Sequence, residues 1–249
     1  VALGQARPRG HWRVVTAAGA RLAERNLVDA LFLQLVRLDV ETPVRVDDAR
    51  RRLGPAPLRL ELVPTDGRPR ARLELGGQCP HGGGLVALRS EPDPRAGCAP
   101  EDVRRVLDLP RERWASLRPL GFSLDEVETV RIDRWGRRLE LVRSEGGYRL
   151  RAPRVAEVDL DTGNRRVLSL LDVRGDPVED SDLGALGLVP PTGTVTVESS
   201  AATEAEVITE ILDLGVLDRQ GSLVVRRRLD GVVLRLDREA ARGFLPDAT

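Results

Sequence analysis

Few residues in this chain can do chemistry, so each can be weighed in turn. Cysteine occurs only at 79 and 98, and histidine only at 11 and 81. Cys79, His81 and Cys98 offer three zinc ligands, but a structural zinc takes four. The remaining histidine, His11, lies at the far end of the first half. Cys79 with His81 also has the makings of a thiol nucleophile and its base, yet nothing nearby in sequence orients the base. The third reading joins Cys79 to Cys98 as a disulfide or leaves both reduced, and their spacing of 19 residues does not decide between the two.

Other clusters reduce to simpler explanations. Gly82-Gly83-Gly84 could cradle phosphate, but a phosphate loop opens a helix and here a strand pattern follows, as after a hairpin turn. Asp159, Asp161, Gly163 and Asn164 begin like a calcium loop, without the later ligands or the closing bidentate glutamate. Asp161 or Thr162 as a helix cap accounts for the same residues. Glu179, Asp180 and Asp182 read as a solvated acidic loop. The expectation is therefore no enzyme, no cofactor and no metal.

Composition narrows the classes further. Thirty-nine basic and 39 acidic residues cancel over 249 positions, so no net field gathers nucleic acid or an anionic membrane. Every basic residue of that count is arginine, which removes the lysine that a Walker-type phosphate loop requires. Aromatics are 3% of the chain, too few for a base-stacking surface, and the cores must be built from Leu and Val. Arg50-Arg51-Arg52 and Arg226-Arg227-Arg228 read as solvated faces, the second within a strand pattern. No apolar window approaches the roughly 18 residues of a membrane span, and no signal peptide is visible.

The elements that would hold these residues come in two series. Gly10-His11-Trp12-Arg13-Val14 is echoed by Gly146-Gly147-Tyr148-Arg149-Leu150, and the run from Leu31 by the run from Val167, both at an offset of 136. Leu53-Gly54 matches Leu186-Gly187, and Leu73-Glu74-Leu75-Gly76 matches Leu212-Asp213-Leu214-Gly215, at offsets of 133 and 139. Spacing this wide implies a duplicated domain, not a solenoid. The fold expected is α+β: two tandem copies of a mostly antiparallel sheet with a helix packed on one face. The copies are placed at 1–109 and 123–249, joined by a connector at 110–122 in which Trp114 is a packing anchor.

In copy one the patterns predict a strand pair Val1–Leu3 and Trp12–Thr16, a helix Leu27–Leu38 capped by Asn26, and a short helix Asp47–Arg52. Strands then follow at Leu58–Val63, Ala71–Leu75 and Leu85–Arg89, with a turn at Thr65-Asp66-Gly67 and a closing helix Pro100–Leu107. In copy two the strands are Glu128–Trp135, Leu139–Arg143 and Tyr148–Arg151, followed by a helix Asn164–Val173. Further strands lie near Thr194–Glu198, Glu206–Leu212, Leu223–Leu229 and Val232–Leu236, the last two joined at Asp230-Gly231, before a helix Asp237–Phe244. Trp12 and Tyr148 are expected as equivalent buried anchors of the two copies. The first residue is Val1, and the strand Glu128–Trp135 has no counterpart before it, so the chain reads as a piece of a longer protein.

Tyr148, Leu150, Pro153, Asp159, Leu170-Leu171, Leu186-Gly187-Leu188 and Pro191 before Val195 and Val197 form a pattern that resembles the family known as domain of unknown function 4340. Leu186 stands where that family has tyrosine, and copy one matches through Trp12, Val14 and Leu53-Gly54. The resemblance implies a non-enzymatic extracytoplasmic module associated with an ABC transporter of the gliding-motility or auxiliary type. Such a module works with protein partners in a membrane complex and is anchored outside this sequence. The alternative is a ligand-binding module for a cell-envelope component, using a groove between the copies. An extracytoplasmic location would permit a Cys79–Cys98 disulfide, which becomes the favoured of the cysteine readings.

Overall fold

A computed structural model describes residues 2–5, 11–16, 19–36, 42–55, 57–62, 69–80, 82–179, 182–200 and 207–246. Among these residues the backbone is mostly antiparallel sheet with a few helices, consistent with the α+β class. The first half runs β1 (Ala2–Gln5), β2 (Trp12–Thr16), β3 (Gly19–Leu22), α1 (Arg25–Val36), β4 (Pro43–Val44), α2 (Val46–Arg52), β5 (Leu58–Leu62), β6 (Ala71–Gln78), β7 (Leu85–Glu91), β8 (Arg95–Ala99) and α3 (Asp102–Leu107). The second runs β9 (Val127–Arg134), β10 (Arg137–Ser144), β11 (Gly147–Ala152), β12 (Ala156–Asp159), α4 (Leu160–Leu171), β13 (Asp176–Pro177), β14 (Gly193–Ser200), β15 (Val207–Leu217), β16 (Leu223–Arg227), β17 (Val233–Leu236) and α5 (Arg238–Arg242). By packing, the chain divides into Asn26–Trp114 and a second unit that joins Val1–Arg25 to Ala115–Thr249. That division cuts across the expected copy 1–109, because the first 25 residues pack with the later sequence.

In the unit Asn26–Trp114 the strands lie in the order β4-β8-β7-β6-β5. Leu85 to Leu88 on β7 are all buried, so both faces of that strand are covered. Ala49 of α2 packs with Val86, Leu88 and Ala96, while Val103 of α3 packs with Leu75, Ala87 and Ala99. Helices therefore lie on both faces of this sheet, not on one as expected. Asp47 and Asp48 open α2 and Arg50, Arg51 and Arg52 close it, the arrangement that the helix dipole favours. Trp114 is buried, as expected of a packing anchor.

In the other unit β1, β2 and β3 form a small antiparallel sheet, and a larger one runs β12-β11-β10-β9-β14-β15-β16-β17-β13. Gly163, Val167, Leu170 and Leu171 are buried along α4, the spacing of one helical face. They meet Leu139, Leu141, Val195, Leu212 and Leu234 of the sheet and Phe244 after α5 in one continuous core. The small sheet is tied in by hydrogen bonds. Leu22 N donates to Asp230 Oδ2 at 2.8 Å, Arg13 Nη2 to the Leu229 carbonyl at 3.0 Å, and Ser116 N to the Leu22 carbonyl at 2.8 Å.

The two halves share an order of elements. The sequence β4-β8-β7-β6-β5 in one sheet matches β13-β17-β16-β15-β14 in the other, strand for strand. The trios β1-β2-β3 and β10-β11-β12 each pair in sequence order and precede a helix of 12 residues. Gly54 and Gly187 both take positive φ, at 75° and 65°. A Cβ on Gly76 would overlap the Leu53 carbonyl oxygen, and one on Gly215 would overlap that of Leu186. Each of these glycines lets a sheet strand pass against the same backbone point of a preceding turn.

Several expectations are corrected. Asn26 lies within the first turn of α1 and is not its cap, and α4 starts at Leu160, capped by Asp159 in place of Asp161 or Thr162. Cys98 sits on β8, where a loop was expected. The anchors differ in depth: Tyr148 is 1% exposed, whereas Trp12 is only half-buried. Val1, Leu38 and the turn Thr65-Asp66-Gly67 lie outside the described residues.

Candidate functional site

Cys79 and Cys98 are joined in a disulfide, with Cα atoms 5.8 Å apart. Cys79 follows the end of β6 and Cys98 pairs with Val86 on β7, so the bond spans the central strand of its sheet. The Cys79 amide donates to the Gly84 carbonyl and Gly82 N to the Cys79 carbonyl, closing the glycine turn expected there. Neither sulfur is then available as thiolate or zinc ligand, which overturns both of those readings; His81 lies outside the described residues. His11 is engaged in the other unit, its Nε2 2.7 Å from Glu210 Oε1 without good hydrogen-bond alignment and its ring edge-on to Phe122 at 4.6 Å.

The would-be calcium residues serve α4. Asp159 Oδ1 accepts from Thr162 N at 2.9 Å, the cap that holds its carboxyl below the usual carboxylate range. A Cβ on Gly163 would overlap the Tyr148 ring. Tyr148 Oη donates to Asn164 Oδ1 at 2.9 Å and accepts from Arg143 Nη2 at 3.2 Å. Arg143 in turn donates to the Val127 and Leu124 carbonyls, so one aromatic side chain fixes the helix to the sheet. Asp182 Oδ1 accepts from Gly184 N in a turn, and Asp180 lies outside the described residues.

The arginine run on β16 departs from a solvated face. Arg227 is buried, paired with Asp230 at 2.8 Å, and its Nη1 donates to the Ser116 and Arg118 carbonyls. Arg226 and Arg228 both reach Asp213, which is fully buried. Burial would raise the Asp213 carboxyl, but the hydrogen bonds from Arg228 and Arg226 outweigh it and hold the group below its ordinary value. These ion pairs satisfy buried charges within the fold and leave no vacant coordination or reactive group.

The place with room for a ligand is elsewhere. A cavity of about 500 Å³ is lined by Leu139 and Leu141 of β10, Leu150 of β11 and Val158 of β12, with Thr162, Arg165, Arg166 and Ser169 of α4 and Glu239, Arg242 and Gly243 around α5. That volume is typical of small-molecule sites, and so is an apolar lining with a few polar groups. Alternation places the lining side chains: Leu139 and Leu141 share one face of β10, and Tyr148 and Leu150 one face of β11. Tyr148 holds the start of α4 down, while Gly243 packs its backbone against Ser169. Arg166 Nη2 donates to the Leu245 carbonyl at 2.8 Å, and its buried Nε has no hydrogen-bond partner. Burial pushes the Arg166 guanidinium down to about 10, still cationic at neutral pH.

None of the lining residues was singled out from the sequence as a ligand group: Leu150 entered only through the repeat and family patterns, and Thr162 only as a helix cap. The signal available was the pair Arg165-Arg166 on a helix whose other face is apolar. The second helix, with Arg242, is more than seventy residues further along. No family model matches the chain, and no match to it is found among the curated proteins or the solved structures.

Proposed function

We propose that this chain is a non-enzymatic, extracytoplasmic binding module, built as a tandem pair of α+β repeats, that holds an apolar-tailed small molecule in the cavity beneath α4 and α5. The cavity carries the reading: a leucine and valine floor of this size gains affinity by removing apolar ligand surface from water, at about 25 cal/mol per Å². The disulfide supports a location outside the reducing cytosol. Support for the tandem pair comes from the shared strand order and the matching close approaches of Gly76 to Leu53 and Gly215 to Leu186. The resemblance to domain of unknown function 4340 supplies the setting, an accessory part of a membrane complex that contacts cell-envelope components. No helix among the described residues is long and apolar enough to cross a membrane.

The test uses N-phenyl-1-naphthylamine, an uncharged apolar fluorophore. The folded protein should bind it saturably, and Leu150→Trp, which intrudes into the cavity, should weaken that binding while the protein stays folded. No saturable binding, or binding that Leu150→Trp leaves intact, defeats the reading.

A further inference from the structure

The floor of the cavity is apolar, but its rim is not. Several arginines elsewhere in the same unit find carboxylates, as where Arg138 reaches Asp133, Arg149 reaches Glu157, and Arg226, Arg227 and Arg228 reach Asp213 and Asp230, while Arg134 and Arg143 find backbone carbonyls. Three arginines on the cavity are in no ion pair with the described residues. Among the described residues Arg165 donates only to Thr162 Oγ1 at 3.2 Å, Arg166 donates to a backbone carbonyl, and Arg242 makes no side-chain hydrogen bond or ion pair. Glu239 lines the same cavity without pairing with any of them. Three arginines in no ion pair and one glutamate around one apolar floor leave a local excess of positive charge, although the Arg165 charge also acts on Asp159.

Resting on the binding reading above, we infer that the occupant is a single-tailed amphiphile with an anionic oxygen head, its tail on Leu139, Leu141, Leu150 and Val158 and its head among Arg165, Arg166 and Arg242. A guanidinium partly stripped of water recovers more of its lost solvation from an anion than from a neutral acceptor. Arg166 is one such group in the cavity lining, in no ion pair and with a single hydrogen bond, to the Leu245 carbonyl. A neutral amphiphile would bury the same tail and offer these guanidinium groups only an uncharged oxygen. Planar forked donors also suit the two or three oxygens of a carboxylate or phosphate.

Calorimetric titration with decanoate, decyl phosphate and decanol separates these outcomes, because the three share a tail and differ in the head. At least one anion should bind about tenfold more tightly than decanol, the scale of one charge-assisted hydrogen bond. The order of the two anions names the head group. The double variant Arg165→Gln/Arg242→Gln changes exposed side chains and should erase most of that advantage while decanol binding stays constant. Arg166→Gln should do the same, and thermal unfolding checks that it still folds; if it does not, the exposed pair carries the test. Glu239→Gln should strengthen anion binding and leave decanol unchanged. Decanol binding as tightly as both anions overturns the head-group inference and leaves the cavity reading standing. Binding of none of the three overturns both.

Discussion

The five-stranded sheet of Asn26–Trp114 and the matching five strands of the larger sheet hold one strand order by different means. In the smaller unit the described core is two small clusters on opposite faces of the sheet, and a disulfide crosses β7. In the larger, residues from β9 to β17, α4 and α5 join in one core of 22 buried side chains. A small core excludes little surface, and a covalent link offsets that shortfall by limiting the unfolded chain. Common to both are the glycines at 76 and 215 against the turns at Leu53 and Leu186, and an acid one position from a leucine on the same strand. Glu74 bonds Arg59 at 3.0 Å, as Asp213 bonds Arg226 at 2.6 Å. The shared strand order thus comes with the same close backbone approach, and with cores of different size.

The widest gap between the halves lies at their aromatic residues. Tyr148→Ala should cost about 3–5 kcal/mol in urea unfolding, as for a large core side chain. Trp12→Ala, at a half-buried site, should cost less than half of that, and equal losses would erase the contrast. Next comes the disulfide. Its removal as Cys79→Ser/Cys98→Ser should cost about 3 kcal/mol for a loop of this length. By hydrogen exchange the loss should fall within Asn26–Trp114, and lost protection across Ala115–Thr249 would contradict the separation of the two cores. Gly76→Ala and Gly215→Ala should then each cost about 1–3 kcal/mol, because in both the new methyl meets a backbone oxygen that cannot yield. Thermal melts of similar size sharpen the equivalence of the halves, and a neutral effect at either position breaks it.

The smallest effect is one of pH. Asp213 is held below its ordinary 3.8, so its contribution is complete above that value and fades as pH falls through the depressed one. Acid unfolding of Asp213→Asn should therefore show a flatter low-pH limb than the wild type.

Strands with period-two leucines, such as Leu58–Leu62 and Ala71–Gln78, were legible from sequence, as were the turns at Gly82 and Asp230-Gly231. Five short strands were not, two of them the two-residue strands Pro43–Val44 and Asp176–Pro177. Gly19–Leu22, Arg95–Ala99 and Ala156–Asp159 are brief and rich in Gly, Ala or charge, and only pairing to neighbours makes them strands. The start of α4 was hidden for a related reason: Asp161, Thr162 and Gly163 are poor helix formers, and Gly163 is there to admit the Tyr148 ring. The burial of Arg227 depends on Asp230 three residues later and on carbonyls more than a hundred residues earlier. The association of Val1–Arg25 with the later sequence leaves no local trace at all. The cavity was out of reach because its lining comes from separate strands and helices whose residues each look ordinary in their own segment.

Tyr148 is the single tyrosine in the chain. Its hydroxyl bridges Arg143 and Asn164, and burial pushes its ionisation upward against the pull of the nearby Arg143 charge. Tyrosinate absorbance in this protein therefore has one source, and that source sits under the helix that roofs the cavity. The molecule carries its own optical gauge: a spectrum taken while pH is raised reports the ionisation of that one hydroxyl between sheet and helix, with no label attached.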